Sequence, residues 1–343
     1  MDITTVADDL IVLHDGVTVH RYEHLEPSTT YTFMGREITT LPRPDGELLC
    51  RFATVNDVHF GEVEAGRIDD HTNGPIQRSA PDEPPYPETM NHGAAAEIDA
   101  IGPAAVIVKG DLSQDGKPEE WAAFEACYRD KFGNRLHVVR GNHDAYKGQT
   151  GYAGDQWIEL PGVAIALLDT VIPLHTTGTL LASQLEWLEA HTAAARTAAA
   201  HTPVIVMGHH QQWLPATGAA GNDHRSEGYF GMHPDASDAL AAVIARNPRI
   251  VAYTAGHTHR HRVRHMACGV PSIEIGCVKD FPGTWAEYRV YDGGITQVVH
   301  RISTAEALSW SEQCRHLYRD FGVDYETYAL GALEDRCCNI PLR

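Results

Sequence analysis

No apolar run in these 343 residues approaches the roughly 18–20 positions needed to span a bilayer, so no membrane-crossing helix is expected. Basic residues are scarce: 27 Lys and Arg stand against 46 Asp and Glu, giving a formal charge of −19 with no basic run to offset it. A surface of that sign repels nucleic-acid backbones and argues against long DNA or RNA as a partner. The seven cysteines are odd in number and form no C-x-x-C pair. This argues against a zinc ribbon or a disulfide framework and fits a reducing compartment. The first ten residues lack the basic start and apolar core of a secretory leader, with Asp2, Asp8 and Asp9 standing there instead; a cytoplasmic location is expected. There are no internal repeats and no low-complexity tracts. The 43% hydrophobic and 21% charged content is that of an ordinary globular chain, long enough for one large domain with a small appendage.

Residues 1–47 read as a β-rich appendage. Leu10–Leu13 and Val17–Val19 flank His14-Asp15-Gly16, a hairpin signal. Leu25 to Tyr31 resembles the tyrosine-corner segment of β-sandwiches, but the stretch is too short for a whole sandwich. After a turn-rich joint at Pro42–Gly46, a main domain is expected over residues 48–303. Within it, Gly61–Asn91 is polar and Pro-rich and reads as a long loop, either covering a site or forming a surface excursion. Helices are expected at Pro118–Lys131, behind a Gly-Lys-Pro start, and at Ser183–Ala200, where Ser183 and Glu186 form a capping-box signature. Tyr288–Tyr291 and Ile295–Ile302 read as a closing hairpin about Asp292-Gly293-Gly294. Residues 304–343 form a tail whose Leu308, Trp310, Leu317, Tyr318, Phe321 and Tyr328 suit docking on the domain or on a partner subunit in a homo-oligomer.

The chemistry is concentrated in five short clusters: Asp57-Val58-His59, Gly110-Asp111, Gly141-Asn142-His143-Asp144, Gly208-His209-His210 and Gly256-His257-Thr258-His259. Each follows a short apolar run that reads as a buried strand: Phe52–Val55, Ala104–Val108, His137–Val139, Pro203–Met207 and Ile250–Tyr253. Those strands are expected to deliver carboxylate, amide and imidazole ligands to one sheet edge. Four of the clusters open with glycine, which permits a sharp turn and close approach to an ion. A mixed set of hard oxygens and imidazoles suits a two-metal hydrolytic centre. In Gly256–His259 the alternation around Thr258 leaves two arrangements open: both rings on one side of an extended strand, or each ring on a different ion across a tight turn.

The ordered set D-x-H, GD, GNHD, GHH, GHxH resembles the calcineurin-like metallophosphoesterase superfamily from about Arg51 to Ser303. The resemblance implies an α/β sandwich of two mixed sheets flanked by helices. It places one ion on Asp57, His59 and His259 and a second on Asn142, His209 and His257, with Asp111 bridging them. The ions implied are two divalent or mixed-valence Mn, Fe or Zn, with a bridging water deprotonated to attack a phosphoester. His143 is expected to assist the leaving oxygen, oriented by Asp144 or Asp115, and His210 to touch substrate or pack beneath the site. Within the superfamily, Gly110-Asp-Leu-Ser-Gln-Asp-Gly116 with Trp121 and Phe124, Leu168-Asp-Thr170 and Ser183–Leu188 resemble the class III cyclic-nucleotide phosphodiesterase branch. Gln114 and Asp115 stand where the protein-directed phosphatases carry Asp and Arg; Gln211-Gln212 after His210 departs from the proline common in the cyclic-nucleotide branch. The implied activity is hydrolysis of small phosphoesters, diesters and cyclic nucleotides first, monoesters as the alternative. A non-catalytic scaffold on the same fold is the remote alternative, and the filled ligand positions speak against it.

Overall fold

The computed structural model describes residues 1–68, 71–194, 202–213 and 230–343. Two six-stranded mixed sheets are stacked face to face. The first runs β17 (Cys338–Pro341), β16 (Gly294–Arg301), β15 (Thr284–Tyr291), β6 (Leu48–Val55), β7 (Val106–Lys109), β8 (Leu136–Val139). The second runs β13 (Arg262–His265), β14 (Pro271–Glu274), β12 (Ile250–Ala255), β11 (Val204–Met207), β10 (Val163–Leu167), β9 (Gln156–Leu160). The cluster-bearing strands β6, β7 and β8 are mutually parallel in one sheet, and β11 and β12 are parallel in the other. The single sheet edge expected from the residues is therefore wrong. The clusters come three from one sheet and two from the other, and they meet where the strand ends of both layers converge.

Side-chain alternation explains the stacking. In β7, Ile107 joins Phe52, Val139, Ile165, Ile205 and Met207 between the sheets, while Val106 and Val108 turn outward to the helices. Outside the first sheet lie α1 (Tyr86–Ala100), α2 (Pro118–Phe124), a π-helical turn at Glu125–Arg129, the single turn α3 (Asp130–Phe132) and, from the tail, α6 (Ala305–Gln313). Outside the second sheet lie α4 (Ala182–Ala194) and α5 (Pro234–Arg246), packed on Val204, Val206 and Tyr253. Two short tail helices, α7 (Tyr325–Leu330) and α8 (Leu333–Arg336), lead into β17, which pairs with β16, so the tail docks on its own chain.

Several local expectations change. The long loop ends at Tyr86, because Pro85 caps α1 and Pro87 occupies the first turn, where a missing N–H costs nothing. Helix α4 begins at Ala182, and its first turn is closed by Gln184 Oε1 accepting from the Leu181 N–H at 2.9 Å, in place of a Ser183 cap. Its expected end at Ala200 lies outside the described residues.

The N-terminal region forms a three-stranded sheet, β1 (Asp2–Val6), β2 (Leu10–Asp15) and β3 (Thr18–Glu23), followed by the hairpin β4 (Thr30–Phe33) and β5 (Arg36–Thr39). Gly16, at φ 58°, makes the expected tight turn. The Tyr31 hydroxyl accepts from the Glu26 N–H at 2.9 Å, as in a tyrosine corner. This layer packs on β16 and is tied to β15: Thr5 Oγ1 donates to the Val299 carbonyl at 2.7 Å, and Arg289 of β15 pairs with Asp8 and Asp9 at 2.7 Å each.

Buried His14 joins this layer to the main domain, with Nδ1 at 2.7 Å from Thr4 Oγ1 and Nε2 at 3.1 Å from Ser303 Oγ. Burial first, then the Arg301 charge, holds its pKa down to about 3 from an ordinary 6.5. Between those values the unfolded chain binds more protons at this site than the folded one. The contribution of His14 is therefore whole above pH 6.5 and is lost as pH falls toward 3. Denaturant unfolding at pH 7 and pH 5 should show a loss of about 2 kcal/mol attributable to this group, absent in His14→Gln. Equal pH dependence in the two proteins would refute the assignment.

Candidate metal centre

The site is laced together through the backbone. Asp57 N–H donates to the Gly110 carbonyl at 3.1 Å, and Val58 and His59 both donate to the Asp111 carbonyl, at 3.0 and 2.9 Å. The loops after β6 and β7 are thereby held side by side. The second sheet is tied in from across the sandwich: the His257 N–H donates to the Asp57 carboxylate at 3.0–3.1 Å, and His209 Nδ1 donates to the Lys109 carbonyl at 2.9 Å.

All seven residues expected to hold metal come together. Asp57, His59 and His259 form one group, with His259 Nε2 at 3.6 Å from Asp57 Oδ1. His209 Nε2 lies 2.9 Å from Asn142 Oδ1, and the rings of His209 and His257 are 5.0 Å apart. Asp111 Oδ2 stands between the groups, 3.5 Å from His59 Nε2 and 3.3 Å from His209 Nε2, the position a bridging carboxylate requires. His257 and His259 sit in a tight turn at φ 69° and 54°, so each ring serves a different group. The extended-strand alternative does not occur.

The donor set fits cations on three observations. First, His59 Nε2 is buried and has no hydrogen-bond partner among the described residues, while its Nδ1 donates to Gln114 Oε1 at 3.1 Å. Second, His209 Nδ1 donates to a carbonyl, as does His257 Nε2 to Phe230 at 2.8 Å. Each ring thus keeps its other nitrogen for the cluster, the arrangement that fixes a metal-binding tautomer. Third, the cluster favours positive charge at its carboxylates. Burial pushes the His209 pKa down, but the Asp111 charge raises it to about 9. Burial and then the His209 charge drive His257 down to about 3, against the pull of the Asp111 and Asp57 carboxylates. Burial, followed by the His143 and Lys279 charges, takes His59 well below its ordinary value. Asp57 is lowered although burial opposes it, because His259 and His209 face it.

His143 stands at the edge of the cluster, its ring 4.5 Å from that of His59. Its Nδ1 donates to the Gln114 carbonyl at 2.9 Å, which leaves Nε2 toward the site. Neither carboxylate expected to orient it does so. Asp115 is paired with Lys117 at 2.8 Å and Lys147 at 3.4 Å. Asp144 is fully buried and accepts from the backbone N–H groups of Leu112, Ser113 and Gly141 and from the Ser113 hydroxyl, at 2.5–3.0 Å. It ties the Asp111 loop to the Asn142 loop. His210 is also committed elsewhere: Nδ1 accepts from Thr170 Oγ1 at 2.8 Å and Nε2 donates to the Thr176 carbonyl at 3.0 Å. It packs beneath the site, with no ring nitrogen spare for substrate.

Three polar partners escaped the sequence reading. Tyr146 accepts from Asn142 Nδ2 at 2.6 Å and so aims Asn142 Oδ1 at His209. Asn56 donates to Asp57 Oδ2 at 2.5 Å, and Gln114 holds both His59 and His143. The Asn-Asp and His-Asp-Ala-Tyr contexts carry no spacing signal that would single these out.

Among solved structures, a dimetal phosphatase from Danio rerio matches with a TM-score of 0.56 at 15% identity over 74% of this chain and 97% of that one. A protein from Thermus thermophilus matches with a TM-score of 0.40 at 11% identity, over 71% of this chain and 95% of that one. Vps29 from Entamoeba histolytica, solved with zinc, gives 0.33 at 13% identity, over 73% and 91%. At these identities the first likeness extends to the fold alone. No curated protein matches. Residues 50–261 match the family described as calcineurin-like phosphoesterase, a description that names no branch and no cyclic-nucleotide substrate. With that match spanning more than half of its length and the motif residues gathered into one buried His/Asp cluster, the chain belongs to the calcineurin-like phosphoesterase family.

Proposed function

We propose that this chain hydrolyses small phosphate esters, diesters in preference to monoesters, at a centre where Asp57, His59 and His259 hold one ion, Asn142, His209 and His257 a second, and Asp111 lies between. The observation that carries the reading is the convergence of these seven side chains from both sheets, one with a buried imidazole nitrogen that has no hydrogen-bond partner among the described residues. Mn, Fe or Zn suits this mixture of oxygen and imidazole donors. Two such ions, when bound, supply an activated water and offset charge building on the phosphoryl oxygens. The chain's own contribution is positional. Gln114 holds His143 through its carbonyl and His59 through its side chain; with Nδ1–H kept on that carbonyl, His143 in its doubly protonated form can give the Nε2 proton to a leaving oxygen and return to the neutral ring.

Two features support the diester preference. The 110–116 segment, which resembles the cyclic-nucleotide branch, is the one that sets His59 and His143. Within it, Asp115, paired with Lys117 and Lys147, stands where the protein-directed phosphatases carry Arg, so the planar cation that would grip a doubly charged monoester in two places is missing from that position. The net charge of −19 favours a small substrate over a long polyanion.

Bis-p-nitrophenyl phosphate, p-nitrophenyl phosphate and cyclic nucleotides assayed in parallel, on metal-loaded and chelator-stripped protein, test this reading. Diester turnover should exceed monoester turnover and vanish on stripping; monoester turnover larger by orders of magnitude would sink the preference. His143→Ala should lower kcat by about 10²-fold while both ions are retained, as expected for loss of a proton donor. Loss of an ion in that variant would instead make His143 a ligand. At Gly141 an added Cβ would fall on the Asp111 carboxylate. Elemental analysis of Gly141→Ala should therefore find fewer than two ions per chain in a protein that still melts cooperatively.

A further inference from the structure

The tail lies beyond the family segment at 50–261, yet its helix α7 reaches the metal centre at two points. Buried Tyr325 donates its hydroxyl to Asp280 Oδ1 at 2.7 Å, and Tyr328 donates to the Thr258 carbonyl at 2.8 Å. Their rings lie near-parallel with centroids 6.1 Å apart, so the hydroxyls act as a pair from one face of the helix. Thr258 is the residue between His257 and His259. Asp280 is fully buried; its Oδ1 also receives the Cys277 thiol at 3.1 Å. Its Oδ2 has no hydrogen-bond partner among the described residues and lies 3.6 Å from Lys279 Nζ and 4.0 Å from His259 Nδ1. Across the same imidazole, His259 Nε2 faces Asp57.

We propose that α7 is a built-in clamp on the metal centre, in which Tyr325 acts through Asp280 on the ring of His259 and Tyr328 acts through the Thr258 carbonyl on the turn carrying His257 and His259. An imidazole that gives Nε2 to a cation carries its proton on Nδ1. A carboxylate facing that N–H fixes the tautomer and strengthens the ligand. Closing the 4.0 Å gap to a hydrogen bond takes about 1 Å of ring or carboxylate movement. Oδ2 is free to accept, because the Tyr325 and Cys277 donors are both on Oδ1. Tyr325, Tyr328 and Asp280 are positioning residues in this scheme and touch no substrate.

The clamp rests on the metal-centre reading above, and its test separates the two. Full-length wild type, Tyr325→Phe, Tyr328→Phe and Asp280→Asn are stripped of metal and equilibrated by dialysis against graded Zn²⁺ or Mn²⁺. Bound metal per chain is read by elemental analysis, and the melting midpoint of each metal-free protein is recorded. Wild type should bind two ions. Tyr325→Phe and Asp280→Asn should each weaken one of the two by about 10- to 100-fold and leave the other unchanged. Tyr325→Phe combined with Asp280→Asn should lose no more than the stronger single change, since both act on the same ring. Tyr328→Phe should weaken both ions, because the Thr258 turn carries His257 as well as His259. Unchanged two-ion affinity in the variants overturns the clamp, and so does a lowered metal-free melting midpoint with affinity intact, the signature of a merely structural tail. Additive losses overturn the route through Asp280. A wild type that binds no ion overturns the metal centre and the clamp together.

Discussion

Asp111 is the residue through which the two sheets become one site. Its carbonyl accepts from Val58 and His59, and its Oδ1 accepts from the His143 N–H at 2.9 Å. Its Oδ2 then lies within 3.5 Å of imidazoles from opposite layers. The neighbouring glycines follow from that crowding. A Cβ at Gly110 would strike the His209 ring, and one at Gly141 the Asp111 carboxylate. Gly-Asp and Gly-Asn are therefore steric requirements of the convergence: backbone must approach backbone before the side chains can meet.

Convergence of this kind is strained. Asp57, His59, Asp111, His257 and His259 all have left-handed backbone, φ between 47° and 69°, though none is glycine. Each such residue costs on the order of 1–3 kcal/mol and persists only where its surroundings over-determine it. Here the surroundings are the cross-loop hydrogen bonds and the apolar layer beneath, where Ile107, Ile205 and Met207 are fully buried. The strands are short and anchored on both faces, so the loops inherit a fixed starting geometry. The left-handed turns allow ligands one or two residues apart to face different partners, which neither an extended strand nor a helix permits.

That physics also sets what the sequence could reveal. The candidate ligands were legible because each cluster follows a strand with apolar residues on both faces, such as Val106-Ile107-Val108, and four of the five open on a glycine with a steric reason to be there. The allotment of those strands to two stacked sheets was not legible from the residues, since a strand buried on both faces carries no mark of its neighbours; only the family resemblance pointed to a sandwich. Asp144 misled because adjacency to His143 suggested partnership. In a 3₁₀ turn successive side chains point about 120° apart, and Asp144 is carried under the loops while the His143 ring lies against that of His59. Asp280 and Tyr325 were invisible for a different reason. Their hydrogen bond spans 45 residues and follows no local pattern, because it depends on how the tail returns to the sheet.

An acidic protein that binds an anion poses an apparent conflict, and distance resolves it. At physiological ionic strength charge is screened over roughly 8 Å. A long polyanion lying across the surface meets the −19 of the whole chain, whereas a phosphate group within the cluster meets only the charges around it. Within the cluster those charges are the buried carboxylates Asp57 and Asp111, set among imidazoles; just outside it Lys279 lies against Glu62 and Asp280. Without cations the cluster is no anion site, because the carboxylates would repel a phosphate at close range. With two divalent ions against two carboxylates, the local sign reverses while the surface keeps its own. If the centre takes up two ions as proposed, metal occupancy and substrate affinity become one electrostatic property of this site.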